Sequence, residues 1–556
     1  METYAENPSD IYGASNIDPA MKNCYQQTRK FLMAQYGLTE NEATSIITHG
    51  VDFGMTQLVD GNLGVHAIVP KVLFSAVATD SMTSVSRRLL EANLPLSAAN
   101  VQWGFFSKTL APVLTIDSGA EVVVEMATHH ACDDYDKMIL GDPGMEEIYA
   151  SDATGRTESK RVATGGGDGV HILTGPIFVN DAEPGDLLVV EILDLQPRPN
   201  KDGKTYGSSA AAWWGYHARV PKSDGTSFTA GSSTGTPGSS DEVVTIYELM
   251  EDDEGNGYAI PSYQFGWPTL TDPTGVERDH IAYPGSCVPH DSHGDTTTVS
   301  STVTDLGWTK NASITYFDEV YPAKIPINYH IGCMGLAPES HDFVDSTPPM
   351  PSGGNLDNKR IGVGTTMYYP VEVAGAMLSM GDAHTAQGDS ESDGTGIETS
   401  LTGKFKITVI KKADFTPAQK ALDFPLGETD TEWIVHGFTE TDYLETYAEN
   451  PSDIYSASSI DSATRNAFAQ TRKFIMAQYD LTEYEAWTII TEGIDFGMTQ
   501  LVDGNWGVHA IVPKAIFMID DEEEEDPSDG YTATKKIGWS VPFLFAAFAL
   551  AESLFA

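Results

Sequence analysis

One module occurs twice in this chain. Residues 2–74 recur at 445–517, a fixed offset of 443, with 55 of 73 positions identical. Both copies run ETYAENPSDIY, then a helical stretch (QTRKFLMAQY or QTRKFIMAQY), then LTE, a second helix, and DFGMTQLVDGN closing on GVHAIVPK. Leu38-Thr39-Glu40-Asn41-Glu42 and Leu481-Thr482-Glu483-Tyr484-Glu485 have the form of helix starts, with Thr as N-cap and acids in the first turn. The period is far too long for a solenoid. A short helical module therefore flanks a larger body, and any fold must place two nearly identical apolar faces.

The body between them reads as β-rich. Pro112–Ile116 leads through the turn Asp117-Ser118-Gly119 into Glu121–Glu125, and Gly175–Val179 leads through Glu183-Pro184-Gly185-Asp186 into Leu187–Asp194. Further strands are expected at Ala323–Ile327 and Phe405–Ile410, whereas residues 222–260 read as a surface excursion. The chain of 556 residues carries 80 acidic against 32 basic side chains. That field repels nucleic acid and anionic membranes, and both are excluded as partners of the body. The four cysteines, Cys24, Cys132, Cys287 and Cys333, form no CxxC pair, which fits a reducing, cytoplasmic setting. The start METYAENPSD is acidic and polar, unlike a secretory signal. An acidic run at 520–526 precedes an apolar tail, Ile537 to Ala556, for which a C-terminal membrane anchor is the alternative to a plain extension.

The chemistry is expected in a third strand–turn–strand unit, Tyr368 to Glu391. Tyr369, Val371 and Val373 alternate as in a half-buried strand, Gly375 interrupts, and Met377–Met380 reads as the next strand. Gly381-Asp382-Ala383-His384 then puts a carboxylate and an imidazole two residues apart, and Gln387, Asp389 and Glu391 follow among small residues. Two polar groups directly after an apolar strand need a function to hold them there.

Long stretches of the chain resemble the acetamidase/formamidase family. The resemblance rests on NVQWGFFSKTLAPVLTIDSGAEVVVE (100–125), VHILTGPIFVNDAEPGDLLVVEILDL (170–195), STPPMPSGGNLDNKRIGVGTTMYYPVEVAGAMLSMGDAHTAQGDSE (346–391) and DFGMTQLVDGNWGVHAIVPKAIF (495–517). It implies a mainly β (α+β) fold, a β-sandwich-like core with accessory C-terminal helices. It also implies hydrolysis of a short amide to carboxylate and ammonia, with formamide ahead of acetamide and a homo-oligomer as the working unit. The domains on this reading are a duplicated segment at 1–78, an amidase core at 79–444, the closing segment at 445–517 and a linker with apolar tail at 518–556. The family's Gly-Asp-Gly-Glu stands here as Gly388-Asp389-Ser390-Glu391, and the copy at 2–74 resembles the family's C-terminal segment displaced to the N-terminus.

Amide hydrolysis needs a strong nucleophile and a proton for the departing amine. There is no S-x-x-K motif, the G-x-S-x-G match at 231–235 falls in the Ser/Thr/Gly-rich stretch rather than at a strand-to-helix elbow, and Cys132 and Cys333 lack a paired base in sequence. A metal-held water suits the residue types better, with zinc as the first choice. Its ligands are expected among Asp134, His171, Asp382 and His384, with Asp382, His384 and Glu391 as the catalytic set and Glu391 as general acid or base. Gly381, Gln387, Asp389 and Asp357 are assigned to the substrate. Against these stand plainer readings: His129 and His130 as a strand end of which at least one faces water, His171 as a turn-bonding residue, Glu183 and Asp186 as turn formers, Asp357 as a loop stabiliser, and His290 and His293 as a solvated loop. The alternatives to a short-amide hydrolase are a catalytically silent protein that binds a small ligand or metal, and a hydrolase of a larger amide or cyclic imide.

The two module copies are expected to compete for one groove. Trp487 and Trp506 replace Thr44 and Leu63, and a buried aromatic contributes about 1.5–3 kcal/mol, so the C-terminal copy should win. The N-terminal copy would then be a loosely attached remnant whose removal leaves activity unchanged, or, alternatively, would dock on a neighbouring subunit.

Overall fold

Alternating burial along the strands builds two facing sheets. In a computed structural model the described residues are 16–59, 62–74, 92–149, 169–229, 241–266, 269–271, 277–279, 309–310, 314–317 and 323–517. In Ala120–Met126 the side chains of Val122, Val124 and Met126 turn inward, and in Leu401–Ile410 those of Leu401, Phe405 and Ile407 do the same. These strands lie side by side in an eleven-stranded sheet whose order runs Gly64–Ile68, Asp52–Gln57, Asp495–Gln500, Gly507–Pro513, Glu432–Phe438, Leu426–Glu428, Thr366–Pro370, Leu187–Pro197, Leu401–Ile410, Ala120–Met126, Ala92–Leu94. A second sheet orders Gly353–Asn355, His330–Gly335, Leu378–His384, Ile172–Val179 and Val101–Trp103, with Leu114–Ile116 added in parallel to Ile172–Val179. Ile177, Ile331, Leu378 and Met380 of this sheet share one apolar core with Val122, Val190, Phe405 and Ile407 of the large one.

The strand–turn–strand units are not hairpins. Leu114–Ile116, Ile172–Val179 and Leu378–His384 belong to the second sheet, whereas the strands on the other side of each turn belong to the large one. Each turn carries the chain across the core, so both strands bury their apolar faces against each other's sheet. Asp186 does form its turn, accepting from the Glu183 backbone N–H at 3.0 Å.

Each module copy folds as two helices and a two-stranded hairpin. Thr39 with Glu42, and Thr482 with Glu485, form complete capping boxes on helices Glu40–Gly50 and Glu483–Gly493. The hairpins join the large sheet next to each other, and the residues that meet are counterparts. Gly54 pairs antiparallel with Gly497, which stands 443 positions on. The Ile17 N–H donates to Asp461 Oδ1 at 3.2 Å, and Asp461 is the counterpart of Asp18. Antiparallel contact between equivalent residues is the signature of a two-fold axis, so the copies are related by a local one.

This arrangement corrects the expectation of competition and of a loose remnant. Ile17, Leu32, Ile46, Ile47 and Phe53 of the N-terminal copy are buried in one cluster with Tyr216, Val220, Tyr247, Ile325 and Ile397 of the body. The copies share a buried set of counterparts, Ile17 and Ile460 among them in one cluster, but differ beyond it. Phe474 is 2% exposed beneath Trp433 while its counterpart Phe31 is 52% exposed; Thr44 is 3% exposed while its counterpart Trp487 is 40% exposed. Trp506 is buried as expected, and Trp487 is not. Among the described residues no helix is long and apolar enough to cross a membrane. The apolar tail, His290 and His293 lie outside the described residues.

Candidate active site

The strand Leu378–His384 changes the side it presents at Asp382. Leu378, Met380 and Ala383 all point into the core, a parity shift made possible by the left-handed Asp382 (φ 53°). Asp382 thereby faces the opposite side and lines a cavity of about 510 Å³, with the buried His384 Nε2 3.6 Å from its Oδ2. Gly332 on the neighbouring strand leaves room for them. A Cβ there would stand 2.4 Å from Asp357 Oδ1 and 2.6 Å from Asp382 Oδ2.

Asp382 is ringed by imidazoles. His171 Nε2 lies 3.5 Å and His384 Nε2 3.6 Å from its Oδ2, and His129 Nδ1 lies 3.6 Å from its Oδ1. His171 is aimed by Ser346 Oγ, 2.9 Å from Nδ1. His384 is aimed by the Gln387 amide oxygen, 2.9 Å from Nδ1, and its Nε2 lies 3.0 Å from Glu398 Oε1 and 3.9 Å from Asp357 Oδ1. Gln387 also donates to the Asp357 carbonyl at 2.6 Å and faces His330 Nε2 at 3.2 Å. Asp503 arrives from the C-terminal module copy, where Gln500 Oε1 accepts from the Val502 and Asp503 N–H groups at 3.1 and 3.0 Å.

Five buried carboxylates, on Asp357, Asp382, Glu391, Glu398 and Asp503, cannot all be ionised together without compensation. Burial opposes ionisation of Asp382, but His171 and His384 outweigh it and hold this carboxyl well below the usual range. Burial, reinforced by Asp357, pushes Glu391 well above it. Burial likewise raises Asp357, with Asp503 next to it, and raises Asp503, with Glu391 next to it. Glu398 is pushed up to about 7 by burial, with His384 opposing. Asp382 is thus held low while its acidic neighbours are pushed up, the kind of separation that acid–base catalysis uses.

Donor atoms sufficient for a cation converge here. His129, His171 and Asp382 can approach one ion together, as can Asp357, Asp382 and His384. Asp357 Oδ1, Asp382 Oδ1, Glu391 Oε2, Asp503 Oδ2 and His129 Nδ1 are buried without a hydrogen-bond partner. Orphaned acceptors in this number fit a divalent cation.

The structure therefore brings Asp382, His384, Glu391, Asp357 and His171 together, with Gln387 behind His384, and sets Asp134 and Asp389 apart from the cavity wall. Asp134 lies elsewhere: it caps the helix Tyr135–Met138 and accepts from Tyr263 Oη at 2.5 Å. Asp389 does not face substrate but binds Arg360 Nη1 and Nη2 at 2.7 and 2.9 Å, which against the effect of burial holds its carboxyl low. Gly381 serves strand packing, since a Cβ there would lie 2.0 Å from the Ile172 carbonyl. Gln387 orients His384 rather than binding substrate. His129 faces Asp382, and His130 pairs with Asp133 Oδ2 at 2.8 Å, so neither histidine is a water-facing strand end. Cys333 is buried among apolar side chains and its thiol is pushed well above the ordinary range, chiefly by burial; the Cys132 side chain lies outside the description. Sequence reading missed Glu398 and Asp503. Glu398 stands seven residues after Glu391, and Asp503 belongs to the LVDGN that both module copies share, so local sequence did not single out either.

Ser390 takes φ 112°, backbone that favours glycine, and its Oγ is buried without a partner. The Ser390→Gly variant should raise stability by about 1–2 kcal/mol, since relief of strain and of the unpaired hydroxyl exceeds the added chain entropy. Urea midpoints of parent and variant check this; a lower midpoint for the variant would count against it.

A sequence model of the acetamidase/formamidase family matches residues 157–519, which hold every residue of the site except His129. The acetamidase of Mycolicibacterium smegmatis is 32% identical over 228 residues, covering 40% of this chain and 48% of the relative. The formamidase of Methylophilus methylotrophus is 29% identical over 254 residues, covering 44% and 52%. The chain spans about half the length of the curated relatives it matches. Among solved structures, the acetamidase from Bacillus halodurans aligns with TM-score 0.46 and 20% identity over 76% of this chain and 98% of its own. That from Yersinia enterocolitica aligns with TM-score 0.47 and 19% identity over 78% and 94%. With the family match extending over well more than half of its length, the chain belongs to the acetamidase/formamidase family.

Proposed function

We propose that this protein hydrolyses short aliphatic amides, formamide and acetamide, to carboxylate and ammonia. The observation that carries the reading is the ring of His129, His171 and His384 around the Asp382 carboxylate, with the buried Glu391 close by. Water adds to the amide carbon and the C–N bond breaks. Glu391, whose Oε2 has no partner, is the group suited to move a proton from the attacking water to the departing nitrogen. His171 and His384 are held in one orientation by Ser346 and Gln387, so the reacting geometry is prepared in advance. A divalent cation, zinc in the first instance, would be held by Asp382 with His129 and His171, or with Asp357 and His384, and would supply Lewis acidity towards the carbonyl and water.

The cavity volume supports a second reading. At about 510 Å³, with Trp213, Trp214 and Tyr455 in its wall, the cavity exceeds the needs of formamide and lies in the range that takes larger ligands. Ammonia release from formamide, acetamide and propionamide, beside a cyclic imide and an amide with a bulky acyl group, ranks the two. Failure on every amide overturns both. Prolonged dialysis against a chelator should remove activity, and added zinc should restore it with about one equivalent bound by elemental analysis. A metal-free preparation that keeps full turnover would refute the cation.

A further inference from the structure

The loop Gln387–Asp393, which carries Glu391, is clamped between the two module copies. On one side the Ser390 N–H donates to the Thr499 carbonyl at 3.1 Å and the Leu501 N–H to the Ser390 carbonyl at 2.9 Å, both in the C-terminal copy. On the other side the N-terminal copy makes different contacts. The Gly388 N–H donates to the Thr48 carbonyl at 2.6 Å, and the Asp389 N–H to Asp52 Oδ1 at 2.9 Å. Thr48 Oγ1 and Ser392 Oγ are 3.1 Å apart. The helix end sits so close that a Cβ on Gly388 would stand 2.5 Å from the Val51 carbonyl and 2.8 Å from that of Thr48. Lys359 pairs with Asp52 and lies 4.0 Å from Asp389, tying strand start and loop together.

The local two-fold gives this arrangement its meaning. Both copies bury the counterparts Ile17 and Ile460, Leu32 and Ile475, and Ile47 and Ile490; beyond these the C-terminal copy buries Phe474, whereas the N-terminal copy buries Thr44. A two-fold pair of complete subunits would present the second subunit's closing module in the position of the N-terminal copy. Here a copy on the same chain takes it.

We propose that the N-terminal module is a positioning element of the active site, supplied in cis in place of a second subunit's closing module, and that Asp52 fixes the Glu391 loop through the Asp389 N–H. The proposal rests on the amidase reading for its kinetic consequence and on the loop alone for its structural one. Asp495 provides an internal control. It is the counterpart of Asp52 in the same DFGMTQ strand, but it is exposed at the sheet surface.

The test compares Asp52→Ala, Asp52→Asn, Thr48→Val and Asp495→Ala in the full chain. Asp52→Ala should lower kcat for formamide roughly tenfold with KM little changed, because a misplaced proton-transfer group weakens the transition state alone. Amide hydrogen exchange at 388–392 should quicken in step. Asp52→Asn keeps an oxygen that accepts from the Asp389 N–H and should recover most of the loss. Thr48→Val, which keeps the side-chain shape, should shift kcat and exchange in the same direction. Asp495→Ala should match the parent. The proposal is overturned if Asp52→Ala turns over and exchanges like the parent, if Asp52→Asn does no better than Ala, or if Asp495→Ala is equally impaired. A parent that releases no ammonia from any amide defeats the amidase reading, and the exchange data still decide the positioning role.

Discussion

Asp382→Ala should lose the proposed amide hydrolysis, by about a thousandfold or more, in a chain that still folds. The carboxyl is the one acid of the cluster held well below its usual range, and His129, His171 and His384 all face it. Removing it leaves three imidazoles without their common anion and takes a donor from two of the four described groups that could hold a cation, His129–His171–Asp382 and Asp357–Asp382–His384. The fold should survive, because Asp382 contributes nothing to the apolar core that Leu378, Met380 and Ala383 fill. Alanine at φ 53° costs about 1 kcal/mol of backbone strain, so Asp382→Asn, which tolerates that conformation and keeps the shape, is the cleaner companion. Ammonia release and a far-ultraviolet dichroism spectrum are measured on both. Turnover within tenfold of the parent in folded Asp382→Asn would remove Asp382 from the mechanism. His384→Ala should be as inactive, with a larger loss of stability, since Glu398 and Asp357 would lose the imidazole that faces them.

Asp382 and His384 were legible because polarity broke an apolar strand, a signal confined to four consecutive residues. Asp357 was ambiguous for the opposite reason: a Gly-Gly-Asn-Leu-Asp loop stabilises itself and lines a site in the same words. Asp389 and Asp134 misled because sequence shows a carboxylate but not its partner. Arg360 and Tyr263 claim them from 29 and 129 positions away. The strands were legible from alternation, but not which sheet each joined, since a turn that crosses a core and a turn that closes a hairpin use the same Pro, Gly and Asp. The repeat was the plainest feature of the sequence and the most misread. Likeness between the copies suggested one shared groove, whereas a local two-fold let the same residues serve two surfaces.

That two-fold also sets what loss of the C-terminal copy does. A chain lacking 445–517 should accumulate as insoluble, inactive protein even though its N-terminal copy remains. The helix Ile460–Tyr479 lies against Glu432–Phe438, with Phe474 beneath Trp433, and Asn466 donates to the Phe438 carbonyl at 2.7 Å. Ile460, Phe474, Ile475, Met498, Leu501, Trp506 and Val508 would all leave the interior, each contributing about 1.5–3 kcal/mol, a sum above the whole stability of an ordinary domain. The N-terminal copy cannot step in, because its own docking face is already committed to Tyr216, Tyr247 and Ile325. Strand Glu432–Phe438 would become a bare sheet edge, which favours aggregation. Two point variants separate the roles of the segment. Phe474→Ala should cost about 3–5 kcal/mol of stability while leaving kcat per folded molecule unchanged. Asp503→Asn should leave stability nearly unchanged and lower kcat, because Asp503 faces Asp357 and Glu391 in the site. A soluble, active chain without residues 445–517 would show instead that the N-terminal copy can close the body, and the assignment of separate surfaces to the two copies would fall.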